Sequence, residues 1–154
     1  MTEMDGSVMR EITMRRKAPR RECTLVYPKH ALSPEELLHF IELRGFTRRW
    51  GSLGLSDDDL FVLQIAIMGA PNGAPVIPHT GGLRKLRFSP PQWREGKRGA
   101  LRVCYVYYQE YGVVLLASVY AKNEKDDLSH REKKGISQLI EQVREELSTG
   151  PVRY

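Results

Sequence analysis

The sequence predicts an α+β fold: a small, mainly antiparallel sheet of about four strands, two helices on the N-terminal side and one C-terminal helix. Two helix-capping signals, at Ser56 and Ser129, each precede apolar residues at helical spacing. Between those two helices lie three consecutive strand patterns. Strands joined by short connections pair antiparallel, and helices with one apolar face pack on the sheet that they form.

The N-terminal half contributes a strand and two helices. We predict a strand at Leu38–Arg44 and a short helix at Phe46–Leu53. Ser56 can cap the next helix, with Asp59 at the capping-box position, and Gly69–Gly73 ends that helix. The residues of this helix that recur at helical spacing, and that we expect in the core, are Leu60, Leu63 and Ile67.

Three strands follow, at Leu83–Phe88, Ala100–Tyr108 and Val113–Tyr120. Alternation along the first strand puts Lys85 and Arg87 on one face. The third strand is almost continuously apolar, which is typical of a central strand covered on both sides. In the second strand, the residues expected to share a face with Arg102 are Cys104, Val106 and Tyr108.

The last helix begins at a second capping box, Ser129 with Glu132, and ends at Thr149–Pro151. Its apolar stripe consists of Ile136, Leu139, Ile140, Val143 and Leu147. We therefore predict one domain at residues 38–150, preceded by an extension at residues 1–37. For the first 22 residues two interpretations stay open: a disordered leader, or upstream sequence from a wrong start codon, and a flexible basic arm that contacts nucleic acid.

Positive charge is concentrated in one segment. Gly81–Arg102 holds seven basic residues and one acid, a local charge of +6, whereas the whole chain carries +5. A cationic patch on two strands and their connecting loop suits a phosphate backbone. The segment therefore favours a protein that binds nucleic acid or one that also cuts it.

Several other classes of site are not indicated. The chain lacks the GxSxG, HExxH, GxGxxG and P-loop patterns and any clustered Cys/His metal set. The two cysteines, Cys23 and Cys104, are far apart, which fits reduced thiols and a cytoplasmic location. No apolar run of about 18 residues predicts a membrane span, and no secretory signal is visible. The four histidines, which we interpret as surface or packing residues, are His30, His39, His79 and His130.

Clustered arginine and lysine suit RNA cleavage without a metal ion. If the ribose 2′-hydroxyl attacks the adjacent phosphate, the protein must accept a proton, stabilise the extra negative charge and assist the leaving oxygen. Arginine suits the charge role because it stays protonated and forks onto phosphate oxygens.

Three motifs in order, GGLRKLRF, GKRG and YAKNEKDDL, resemble the RelE/HigB toxin family, and most closely its HigB-type branch. The resemblance covers about residues 38–147, and residues 1–37 have no counterpart. It implies a RelE-like fold and a metal-independent, cofactor-free mRNA endonuclease that cuts codons in the ribosomal A site. It also implies a helix-turn-helix antitoxin (HigA-like) as partner, with operator DNA contacted only through the toxin–antitoxin complex and no membrane partner.

The resemblance also assigns residues. It matches Lys85 and Arg87 to proton acceptance and phosphate contact, Arg102 to charge stabilisation and Lys122 to the catalytic set. Asn123 and Ser129 stand where better-known members have an arginine and a tyrosine, so the general acid has no assignment; Tyr120, Lys122 and Glu124 are possible replacements. The residues expected to contact RNA or the ribosome are Arg84, Lys97, Arg98, Tyr108, Tyr120 and Asn123.

Other interpretations stay open at this point. Lys85 and Arg87 can form a solvated sheet face, Arg102 can be a structural ion-pair partner, and Tyr120 can be a core residue. At the level of function, the rivals are a ParE-like DNA gyrase inhibitor and a non-catalytic module that binds antitoxin and serves operon control.

Overall fold

The computed structural model describes residues 12–14, 37–91 and 100–149. The predicted α+β order of strand, two helices, three strands and a final helix is confirmed, and one further short strand precedes it. The elements are β1 (Ile12–Met14), β2 (His39–Leu43), α1 (Arg44–Ser52), α2 (Asp57–Gly69), β3 (Arg84–Phe88), β4 (Leu101–Tyr108), β5 (Val113–Ala121) and α3 (His130–Ser148).

The strands form one sheet in the order β1-β2-β5-β4-β3. Of the strand pairs within the described residues, only β2–β5 is parallel, so the sheet is mainly antiparallel, as predicted. Strand β1 lies in the segment that we predicted to be an N-terminal extension, and it pairs with β2 so that Met14 lies opposite Ile41. The extension therefore contributes backbone to the sheet edge.

Helices cover both faces of the sheet. Phe46 and Trp50 of α1 and Leu63 of α2 lie in one apolar cluster, which includes Val103 of β4. On the opposite face, the α3 stripe packs with the other side of β4 and β5. The arrangement is consistent with the small RelE-like α+β fold, and it leaves β5 buried on both sides, as its apolar run predicts.

Both predicted capping boxes are present. At α2, the Asp59 amide donates to Ser56 Oγ (3.1 Å) and the Ser56 amide donates to Asp59 Oδ2 (2.9 Å). At α3, the Glu132 amide donates to Ser129 Oγ (3.0 Å) and the Ser129 amide donates to Glu132 Oε1 (2.7 Å). The reciprocal bonds satisfy amides that a helix start otherwise leaves without partners, which fixes where each helix begins.

A bulge in β5 changes which side chains share a face. Cys104 lies opposite Ser118, but the next residue of β4, Tyr105, lies opposite Leu116, so β5 carries an extra residue at Ala117. Beyond the bulge, Tyr120 lies on the α3 face of the sheet. The bulge therefore places Tyr120 on the face that also holds Arg102, its direct partner on β4.

Within the described ranges, no helix combines the length and the apolar character that crossing a bilayer requires.

Candidate active site

The register of β3, β4 and β5 brings basic side chains together on the α3 face of the sheet. Arg87 lies directly opposite Arg102, and Lys85 lies opposite Cys104, which belongs to the apolar cluster under α3. Side chains that lie directly opposite each other point to the same face. The sequence placed Lys85 and Arg87 together from alternation alone, and the register adds Arg102 to them.

Arg87 and Arg102 differ in their surroundings. Arg87 is exposed, and it makes no hydrogen bond or ion pair with another described residue. Arg102 is only 9% exposed, and its Nη1 donates to the Ala100 carbonyl (3.3 Å). Two like charges on directly opposite residues destabilise a sheet. An anion bound between them would relieve that repulsion, so this pair is the centre of the candidate site.

Lys85 is held by an acid from the loop before α3. Its Nζ lies 3.2 Å from Asp127 Oδ1, while Lys133 Nζ lies 3.3 Å from Asp127 Oδ2. Partial burial raises the pKa of Asp127, but hydrogen bonds from the Leu128 amide, Lys85 and Lys133 outweigh it and leave that pKa below its usual range. Asp127 therefore stays charged and bridges the sheet to α3.

The sequence analysis assigned no role at the site to Asp127. Its contact with Lys85 spans 42 residues of sequence and depends on how the loop folds back over the sheet. The available signal was its place in the motif YAKNEKDDL, two acids directly before a buried leucine. That signal does not identify the basic residue that Asp127 contacts.

Lys122 and Asn123 are exposed in the turn that follows β5. Ala121, the last residue of β5, lies opposite Leu101, so the turn begins at the end of the sheet where Arg102 also lies. Neither Lys122 nor Asn123 is tied to another described side chain by a hydrogen bond or an ion pair. Lys97 and Arg98, predicted to contact RNA, lie outside the described residues.

Arg84 does not join the group. It alternates with Lys85 and so points to the opposite face of β3, where its Nη1 donates to the carbonyls of Ala74 (2.6 Å) and Asn72 (3.1 Å). Its Nη2 also donates to Asn72 Oδ1 (3.2 Å). These bonds hold the loop before β3, and the RNA contact predicted for Arg84 stays a prediction.

The rings of Tyr108 and Tyr120 are not exposed for a base to stack on. Each is 2% exposed, and burial raises the pKa of both phenols. The Tyr108 hydroxyl donates to the Ile140 carbonyl of α3 (3.0 Å). Stacking requires an accessible ring face. The RNA contact predicted for Tyr108 is therefore corrected to a core role, and Tyr120 is likewise a core residue.

A search with protein-family models finds no match for this chain. The described residues contain no group of three or more His, Cys, Asp or Glu side chains placed to hold a metal ion.

Proposed function

We propose that this protein is the toxin of a type II toxin–antitoxin system and cleaves mRNA in the ribosomal A site. The observation that carries the proposal is the Arg87–Arg102 pair, two guanidinium groups on directly opposite residues beside Lys85. Guanidinium groups fork onto phosphate oxygens and stay charged at every relevant pH. The motifs that resemble the RelE/HigB toxins support the same function.

In the proposed reaction the ribose 2′-oxygen attacks the adjacent phosphorus and the bond from phosphorus to the 5′-oxygen breaks. The products are a 2′,3′-cyclic phosphate and a 5′-hydroxyl. The 2′-hydroxyl loses its proton to a base, and the leaving 5′-oxygen gains one. Arg87 and Arg102 hold the phosphate and stabilise its added negative charge, an electrostatic role that needs no metal ion for the attack.

Lys85 acts as a third cation in this proposal. Its Nζ lies 3.2 Å from Asp127 Oδ1, which identifies Asp127 as its partner in the absence of RNA. The pair is partly exposed, with side-chain exposures of 29% and 45%, and exposed ion pairs contribute about 0–1 kcal/mol. A phosphate oxygen can therefore replace Asp127 as the partner of Lys85 at little cost. Lys122, exposed beyond β5, adds positive charge at the same end of the sheet.

The proposed partners follow from the same function. The ribosome presents the mRNA, and a helix-turn-helix antitoxin holds the toxin inactive and contacts operator DNA in the complex. The charged surface around Arg87 suits RNA because phosphate contacts dominate binding to nucleic acid and weaken as salt rises.

Mapping RNA ends in cells after brief expression of the chain tests the proposal. The expected result is new ends inside translated codons, lost in Arg87→Gln and retained in Arg48→Gln. Arg48 is the matched control, an exposed arginine on α1.

Two other outcomes would overturn the proposal. Intact mRNA together with DNA damage indicates a gyrase inhibitor. Intact mRNA without toxicity indicates a module that only binds antitoxin.

A further inference from the structure

A cavity of about 440 Å³ lies between the start of α1, the end of β5 and the start of α3. Strand β2 ends at Leu43, and its last partner pair joins Glu42 to Leu116, so no strand of the described residues pairs with this side of β5 after the bulge. The bulge and the end of β2 together create the opening. Its volume falls within the range of small-ligand sites in proteins, about 300–1,000 Å³.

The charged side chains that line the cavity have no net charge. Arg49 contacts Glu124, and Lys125 Nζ lies 2.7 Å from Glu132 Oε2, so two cations and two anions line it. A polyanion gains little from a surface with no net charge. A neutral polar group that both donates and accepts hydrogen bonds suits such a lining better.

Specific atoms on this lining remain available. The hydrogen bonds to the Glu124 carboxylate, from Arg49 Nη2 and the Ala121 amide, both go to Oε1, and Oε2 receives none from a described residue. Arg49 Nε likewise makes no hydrogen bond within the described part of the chain. The residues of the lining thus include an accepting carboxylate oxygen on Glu124 and a donating guanidinium nitrogen on Arg49.

Tyr120 lies between this cavity and the arginine pair. It lines the cavity, lies opposite Arg102 on β4, and is 2% exposed. Its hydroxyl has no hydrogen-bond partner among the described residues, although buried polar groups are nearly always satisfied. Neighbouring strands are about 4.8 Å apart, so the cavity is roughly one strand spacing from the Arg102 backbone.

We propose that this cavity binds a nucleobase, and guanine in preference to the other bases. Guanine presents two acceptors, O6 and N7, beside two donors, N1–H and the 2-amino group. The acceptors suit the Arg49 guanidinium, and the donors suit Glu124 Oε2. The identification of RNA as the source of the base rests on the proposed function. The cavity would then hold a base of the same strand whose phosphate lies at Arg87 and Arg102.

Gly45 and Gly51 of α1 provide a matched pair of variants. A Cβ at either position would meet no heavy atom within 4 Å, but only Gly45 lines the cavity. Gly45→Leu therefore fills the cavity, while Gly51→Leu adds the same side chain to the same helix elsewhere. Leucine also has a higher helix propensity than glycine, so neither change disfavours the helix intrinsically.

The experiment titrates the full chain with guanosine, inosine and adenosine, and follows amide resonances by NMR. The expected result is saturable guanosine binding that shifts the Gly45 and Ser118 amides. Inosine, which lacks the 2-amino group, binds more weakly and adenosine more weakly still. Gly45→Leu weakens guanosine binding at least tenfold, Gly51→Leu leaves it unchanged, and Glu124→Gln removes the preference for guanosine over adenosine.

Three results would overturn the inference: no saturable nucleoside binding, guanosine binding that survives Gly45→Leu, or displacement of guanosine by inorganic phosphate, which would identify an anion site. Because no RNA is cut in this titration, it separates the two proposals. Nucleoside binding without mRNA cleavage would support the nucleobase site and contradict the proposed nuclease activity. Cleavage without nucleoside binding would support the nuclease activity and contradict the nucleobase site.

Discussion

Arg87 on β3 and Arg102 on β4 lie directly opposite each other, so two positive charges occupy one cross-strand pair. Such a pair destabilises a sheet by roughly 0.2–1 kcal/mol relative to a neutral pair. Nearby, Lys85 is neutralised by Asp127, whereas Arg87 has no acidic partner among the described residues. Within the described part of the chain, the charge of Arg87 is thus left uncompensated next to that of Arg102.

The stability cost of this pair is measurable. We expect Arg87→Gln to raise the free energy of unfolding by a few tenths of a kcal/mol, up to about 1 kcal/mol, because the repulsion with Arg102 disappears. Urea unfolding at low and high salt measures it, and the gain should shrink as salt screens the charges. Arg48→Gln is the control. A loss of more than 1 kcal/mol in Arg87→Gln would show that Arg87 stabilises the fold.

The Asp127 bridge makes stability depend on pH. In the folded chain the pKa of Asp127 lies below its unfolded value of about 3.9, so its contribution is fully present above that value and disappears as the pH falls through the folded pKa. We expect Asp127→Asn to cost less than about 1 kcal/mol at pH 7, since the group is 45% exposed. The difference from the unmodified chain should shrink below about pH 4; a difference that stays constant down to pH 3 would contradict the bridge.

Tyr108 is expected to contribute to stability and not to RNA binding. Its hydroxyl donates to the Ile140 carbonyl, and Arg144 lies 5.2 Å from the centre of its ring. Tyr108→Phe should lower the free energy of unfolding by about 0.5–1.5 kcal/mol through loss of that bond, with cleavage of mRNA unchanged. Urea unfolding and a cleavage assay on the same variant measure both. Normal stability with reduced cleavage would contradict this prediction and indicate that Tyr108 contacts RNA.

The thiol of Cys104 should be inert in the folded chain. The residue is fully buried, and burial raises its pKa to about 12 although Lys85 lowers it. Because the thiolate is the reactive form, a disulfide reagent at pH 8 should label Cys104 only as fast as the chain unfolds. The measurement uses Cys23→Ser so that one thiol is followed. Labelling at the rate of a free thiol in native buffer would contradict this prediction, because it would show that Cys104 becomes accessible beneath α3 without unfolding of the chain.

The elements with local signals were predictable from the sequence. Capping boxes at Ser56 and Ser129 depend on residues three positions apart, and both are present. The shared face of Lys85 and Arg87 also follows from alternation alone. Such features need no knowledge of how distant segments meet.

The features that the sequence did not predict depend on distant contacts. The bulge at Ala117 sets the face of Tyr120, and no turn residue marks it in an apolar strand. The burial of Arg102, at 9% exposure, is a second feature that the sequence did not predict. That burial depends on how β4 packs between β5 and β3. The spacing of residues along one strand carries no information about such packing.

Single-turnover cleavage of an mRNA on programmed ribosomes tests most directly whether Arg87 and Arg102 hold a breaking phosphodiester. The chain should release a 5′ fragment that ends in a 2′,3′-cyclic phosphate. Arg87→Gln should slow that step by about 10²–10³-fold, the usual effect of removing one group that stabilises transition-state charge, while Arg48→Gln keeps the unmodified rate. Cleavage by Arg87→Gln at the unmodified rate, or no cleavage by the unmodified chain, would contradict the assignment.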